Sequence, residues 1–194
     1  MYQVQREIEI TPTSVFLDRQ PIATTQTGDK LLVELYRRYA GDYPKFFKMD
    51  TLCRLGFIAA EILLKEPSAI SHQPSAIILA NRSASIKNDT DYLATISEGN
   101  YYPSPALFVY TLPNIVTGEI AIRHHIQGET SFYILDNPAQ LEPIVKSYIV
   151  NDHMVNAKWY MVHDQMVNIL CGWCECSKPN DFYAKMQIIY GTTD

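Results

Sequence analysis

The densest set of chemically capable side chains in this sequence is Cys171-Gly-Trp-Cys174-Glu-Cys176, three thiols within six residues. Such spacing suits a soft metal or a redox pair, since both use the thiolate. The surroundings argue otherwise. Residues 167–176 read as a buried strand, and strand side chains alternate faces, so Cys171 and Cys174 point to opposite sides of a sheet. Only Cys174 and Cys176 share a face, and no second ligand pair lies nearby in sequence. The expectation is three buried small hydrophobes, with no metal and no cofactor. His124 and His125 are adjacent near a helix end, where their rings point about 100° apart and cannot grip one ion together; there a cation favours the helix dipole. His153 and His163 fall on a polar helical face and read as solvated. Ser131 and Asp136 lack the glycines of a nucleophile elbow. The 8 glycines are scattered and form no phosphate loop.

Composition narrows the classes further. With 194 residues, 47% of them hydrophobic, the chain can bury one real core and reads as a single domain over residues 1–194. Charged residues make up 19%, below the usual share of about a quarter, so more surface than normal is expected to be covered. The net charge is −5 with no block of Lys or Arg, which excludes the clustered basic footprint of a nucleic-acid binder. No run of about 18 apolar residues is present, so no membrane span is expected. The start, MYQVQREIEI, lacks the basic and then apolar pattern of a signal peptide, and the four cysteines suit a reducing compartment. A cytoplasmic protein is the expectation. No internal repeat is visible.

These side chains must be positioned by elements legible from periodicity. Residues 4–10 alternate, Val4, Arg6, Ile8 and Ile10 against Gln5, Glu7 and Glu9, as a half-solvated strand near a sheet edge. Residues 16–28 read as irregular, and 30–39 as a short helix with Leu31, Leu32, Leu35 and Tyr36 on one face. Asp50 is placed as the N-cap of a helix over 51–65 whose apolar stripe is wide enough to need cover on most sides. A loop over 67–74 leads to Ala76-Ile-Ile-Leu-Ala80, a strand buried on both faces of a parallel sheet. Residues 81–88 read as a polar loop and 89–96 as a short helix. After 138, a helical pattern runs to 163. A turn at Lys178-Pro-Asn-Asp181 joins the strand over 167–176 to a last, antiparallel strand over 182–190. Alternating strands and helices define an α/β sheet with helical cover.

Residues 101–137 form the centre of this plan: a helix opened by Ser104-Pro105, a second opened by Pro113-Asn114 and ending near His125, then a strand. Thr130, Ser131, Phe132, Tyr133, Ile134 and Leu135 are almost uncharged and rich in β-branched and aromatic types. A strand that turns into a helix is a common mount for a catalytic group. That position holds Asn137, a poor nucleophile.

On the run from Ser104-Pro-Ala-Leu-Phe-Val-Tyr to Asn114-Ile-Val-Thr-Gly118 and Ile122-Arg123, with the strand after Gly128, the chain resembles β-ketoacyl synthases of the thiolase superfamily. Lys48-Met-Asp-Thr-Leu-Cys-Arg-Leu-Gly-Phe-Ile-Ala-Ala-Glu61 resembles that family's early helix, and Ile169-Leu-Cys-Gly-Trp-Cys-Glu175 sits at its Ala-Gly-Gly-x-Glu strand. The resemblance implies a thiolase-like half-domain: a five-stranded mixed sheet, order 3-2-4-5-1 with strand 5 antiparallel, covered by helices. It places the family's nucleophilic cysteine at Asn137, which cannot form an acyl-enzyme by a thiolate route. Synthases of this family are about twice as long, and the half with the catalytic histidines has no counterpart here.

The resemblance therefore implies a non-catalytic, ketosynthase-like accessory subunit of fatty-acid, polyketide or aryl-polyene-type biosynthesis. It would act as a homodimer, or as a heterodimer with a full-length ketosynthase, with an acyl carrier protein as a further partner. The strand Thr130 to Leu135 would form the dimer edge, having no Lys or Pro to blunt it. Phe108, Val109 and Leu112 would face an acyl pocket or a partner. Apolar residues of the 51–65 helix and Trp159-Tyr-Met161 would need cover from outside. Two alternatives remain. One is an acyl-thioester enzyme of other chemistry with Asn137 as an oxyanion donor, and the other is a dimerisation module with no ligand.

Overall fold

The structure is a computed structural model that describes residues 2–65, 76–99, 102–150, 166–178 and 180–192. Seven strands form one mixed sheet: β1 (Tyr2–Ile10), β2 (Val15–Leu17), β3 (Gln20–Pro21), β4 (Ala76–Asn81), β5 (Glu129–Ile134), β6 (Met166–Lys178) and β7 (Asp181–Thr192). The helices are α1 (Asp29–Tyr39), α2 (Thr51–Leu64), α3 (Ile86–Leu93), α4 (Pro105–Val109), α5 (Ile115–His124) and α6 (Leu141–Val150). No described helix is long and apolar enough to cross a membrane.

The sheet has seven strands rather than five, and its order, β3-β2-β1-β7-β6-β4-β5, differs from the expected 3-2-4-5-1. The difference arises in residues 16–28, expected to be irregular. Asp18 and Arg19 both have positive φ, 52° and 65°, and close a two-residue hairpin that joins β2 to β3. No glycine marks this turn. Instead the Asp18 carboxylate accepts from the Glu7 amide at 2.9 Å and meets Arg6 at 3.4 Å, holding the strained residues in place. The hairpin lies outside β1, so β1 is flanked on both sides and is not an edge.

β4 is the hub. It runs parallel to both β5 and β6, and all six of its residues are buried, as a strand covered on two faces must be. β7 is antiparallel to β6 and β1. The hairpin turn between β6 and β7 includes Asn180 in the left-handed region, φ 56°. Gly172 on β6 is required by contact: a Cβ there would lie 2.5 Å from the Lys185 carbonyl oxygen across that hairpin.

The larger core lies on one face, where α2 packs against β7, β1 and β6 and is covered in turn by α1 and α5. Asp50 caps α2, accepting from the Cys53 amide at 2.9 Å. Twelve of its fourteen residues are buried inside this chain. The wide apolar girth of that helix is thus satisfied internally, which corrects the expectation that a partner must cover it. Residues 159–161 and 67–74 lie outside the described residues. On the other face, α6 packs over β6, and a smaller cluster forms around Ile78, Ala80, Trp173, Leu141 and Val145. The helix expected over 138–163 is observed as a 3-10 turn, Pro138–Gln140, followed by α6; positions 151–163 are not described. α3 begins three residues earlier than expected, because Asn81 is no loop residue. Its buried amide clasps Ala84 through two 2.8 Å hydrogen bonds, and this turn launches the helix at once.

Candidate functional site

The parallel strands β4, β5 and β6 end on the same side, and the segments leaving them are tied together. The Leu135 amide donates to the Asn81 carbonyl at 2.8 Å, continuing the ladder one step past β5. Arg82 donates from Nε to the Asp136 carbonyl at 2.9 Å. Glu175 on β6 accepts from the Arg82 amide at 3.0 Å and from the Ser83 hydroxyl. This clamp fixes the corner where Asn137 sits.

Asn137 has extended backbone, φ −156° and ψ 160°, and is exposed. Its side-chain oxygen accepts from the Ala139 amide at 3.1 Å. Gln140 reaches back, its Oε1 accepting from the Asp136 amide at 2.7 Å and the Asn137 amide at 3.3 Å. The pair is a capping box for the turn that leads into α6. The position that reads as an emptied nucleophile mount is occupied by a side chain suited to starting a helix.

β5 forms one edge of the sheet and is hydrogen-bonded only to β4 among the described residues. Thr130 and Ile134 are exposed, the latter at 62%, while Ser131, Phe132, Tyr133 and Leu135 are half-buried. Glu129, Ser131 and Tyr133 share the face toward α6. There Glu129 accepts from Ser131 at 2.9 Å and from the Tyr148 hydroxyl, while the Tyr133 and Tyr148 hydroxyls lie 3.3 Å apart. Burial, then the Glu129 hydrogen bond, push the Tyr148 phenol up. The edge strand is thereby stapled to α6 by side chains, while no described strand pairs with its outer edge.

On α4, capped by Ser104 at the Leu107 amide (3.4 Å), no residue is buried. Phe108, Val109 and Leu112 are 58%, 46% and 56% exposed. The Phe108 ring lies 5.5 Å from Tyr92 of α3, and Leu93 adds to the exposed apolar surface. So β5 and the α4 segment are both open, on separate elements, and Asn137 stands apart as a cap.

The thiols divide as their spacing requires. Cys174 and Cys176 enter the larger core and Cys171 the smaller one. All four cysteines are free and buried. Burial pushes Cys171, Cys174 and Cys176 each to about 12, so they are packing groups at neutral pH.

His124 ends α5 and lies 3.1 Å from Glu61 of α2; His125 is the left-handed C-cap of α5 and exposed. His153 and His163 are not described. Arg123 donates to Glu61 at 2.8 Å and pairs with Asp42 at 2.6 Å, and Glu119 holds Lys45 and Tyr43 nearby. Burial raises Glu61, but the His124 and Arg123 hydrogen bonds outweigh it and hold the carboxyl below its usual range. Sequence reading missed this lattice. Its signal was a glutamate inside the apolar run Phe57-Ile-Ala-Ala-Glu61-Ile-Leu-Leu64, since a charge buried there requires partners.

These features define an α/β protein with a mixed sheet, a helix-capping Asn137 and an edge strand, β5, that pairs only with β4 among the described residues. No protein-family model matches the sequence, and no curated protein matches it. Among solved structures, the fold resembles a ketosynthase (ApeO) in complex with its chain length factor (ApeC) from Xenorhabdus doucetiae, with a TM-score of 0.60 at 12% sequence identity. The match covers 98% of this chain and 79% of that chain. The fold is thus ketosynthase-like.

Proposed function

We propose that the chain is a non-catalytic, ketosynthase-like accessory subunit that pairs with a full-length ketosynthase in fatty-acid, polyketide or aryl-polyene-type biosynthesis. The observation that carries this reading is the likeness of the fold to a ketosynthase–chain length factor complex; Asn137, which the proposal sets at the nucleophile position, is a helix cap. The open β5 edge, Thr130 to Leu135, is the proposed contact strand. It suits strand addition because its outer edge pairs with no other described strand and it has no blunting Lys or Pro. Phe108, Val109 and Leu112 are proposed to meet the partner or its acyl chain, with an acyl carrier protein as a second partner and the cytoplasm as the compartment. The whole of residues 1–194 acts as one domain in this reading.

The test is co-expression with candidate ketosynthases, followed by affinity capture and assay for acyl-thioester turnover. Stable co-purification with a ketosynthase, with no turnover by this chain alone, is expected. A chain that stays alone, as monomer or homodimer, against every ketosynthase would overturn the heterodimer. Turnover by the isolated chain that is lost in Asn137→Ala would favour the oxyanion-donor alternative instead.

A further inference from the structure

α1 buries Leu31, Leu32, Leu35 and Tyr36 in the larger core, which leaves its opposite face outside. That face borders an open groove of about 640 Å³, whose second wall is the segment at Thr25 and Gln26. The protein itself pins both walls. Glu34 accepts from the Thr25 amide at 3.0 Å, the Thr25 hydroxyl at 3.2 Å and the Gln26 amide at 2.8 Å. Arg38 donates to the Ala23 carbonyl at 3.2 Å. The groove is thus formed before anything enters it.

Charge decides what suits it. The groove is lined by three exposed cations, Lys30, Arg37 and Arg38, and by one carboxylate, Glu34, already engaged by Thr25 and Gln26. Among the described residues no carboxylate forms a salt bridge with any of the three cations. Lys65 adds a further positive charge beside Arg38: both lie over the Tyr39 ring, 4.9 and 5.2 Å from its centroid. The whole chain carries −5, so this face stands against the sign of the rest and orients an anionic partner toward itself. Spacing narrows the partner. Lys30 and Arg37 are seven residues apart on one side of the helix, about 10.5 Å along its axis. Glu34 lies between them on that side, so a single small anion drawn to the middle would meet a carboxylate. Two negative groups about 10 Å apart avoid it. None of the exposed large apolar side chains lies in the groove, so it has no anchor to insert into a lipid surface.

We propose that this face of α1 docks an acidic segment of a second protein, which sets carboxylates about two helical turns apart opposite Lys30 and Arg37. The face belongs to α1 and not to the β5 edge or α4, so it stands or falls separately from the pairing reading above.

The probes are two labelled, helical, alanine-rich peptides of equal composition, one with its glutamates seven residues apart and one with them adjacent. Fluorescence anisotropy with the full chain should show the spaced peptide binding about fivefold more tightly than the other, since only it reaches both cations. Raising NaCl from about 50 to about 300 mM should weaken that binding about tenfold, because exposed charges are screened. Arg37→Glu should weaken it about tenfold and Lys30→Gln about threefold, with far-UV circular dichroism unchanged. Lys185→Glu, on the other face of the sheet, should leave it unchanged. If Arg37→Glu misfolds, Lys30→Gln decides, since it removes one exposed charge and no packing. No binding of the spaced peptide at about 1 mM, equal binding of the two peptides, or unchanged binding in the folded variants would overturn the proposal. Displacement of the peptide by inorganic phosphate at constant ionic strength would replace it with a single-anion site. Co-sedimentation with phosphatidylserine vesicles that is lost in Arg37→Glu would replace it with a lipid surface, and self-association lost in that variant with a second copy of this chain.

Discussion

The two faces of the sheet are built on different terms. On one, α1, α2 and α5 close over β1, β6 and β7, and even the charged groups are consumed internally, Glu61 by Arg123 and His124, Glu119 by Lys45 and Tyr43. On the other, α6 covers the centre, and alternate residues of β7 remain half-buried beside a trough. The contrast follows from residue type. β7 places Phe182, Ala184, Met186 and Ile188 on the closed face and Tyr183, Lys185 and Gln187 on the open one. The closed face carries stability. The β5 edge, the segment around α4 and the outer face of α1 are the surfaces proposed for recognition.

The largest effect should come from breaking the closed face. Phe57 is fully buried and stacks on Tyr43 with ring centroids 5.1 Å apart. Phe57→Ala should cost about 3–5 kcal/mol, a fall in Tm on the order of 10 °C by thermal denaturation. A loss under about 1 kcal/mol would mean that the closed face is not where stability resides.

A smaller effect should appear in the pH dependence of the same face. Burial raises Asp50 from 3.8 to about 6, against its hydrogen bonds from Cys53 and Leu52. A folded pKa above the unfolded one gives stability that is fully present below about pH 4 and lost as pH rises to about 6. Asp50 retains some solvent contact, so the loss is about 1–2 kcal/mol after screening. Asp50→Asn keeps a capping oxygen, so it should flatten the stability profile between pH 4 and 6 in denaturant titrations. An unaltered slope would show that Asp50 is solvated in the fold.

How far the sequence foretold this arrangement depends on whether the deciding contacts were local. β4 was legible because an uninterrupted apolar run has no polar face to offer solvent, and α2 because Asp50 precedes a long apolar stripe. The β2–β3 hairpin was not, because its turn rests on Asp18 bonding to β1 eleven residues away rather than on glycine. The meaning of α2's girth was misjudged for a similar reason: its cover comes from α1 and α5, distant in sequence. Asn137 lies three residues past the end of β5, where strand gives way to helix. Its role as a cap depended on Gln140 reaching back, a contact that only the folded turn supplies. For α4 and the turn after it the pattern showed apolar residues at Phe108, Val109 and Leu112 but not that none of the helix is buried.

The smallest effect in the isolated chain should come from α4 and the turn that follows it, and it sharpens the contrast most. Phe108 and Leu112 are more than half exposed, so truncating them removes little burial within this chain. Phe108→Ala and Leu112→Ala should each change stability by no more than about 0.5 kcal/mol. If α4 meets a partner, the same two substitutions should weaken association at least tenfold, because an anchor buried only in the complex gives its energy only there. Thermal melts of the free chain beside binding titrations separate the two quantities. A large loss of stability in the free chain would place α4 with the closed face, and unchanged partner affinity would remove it from the contact surface.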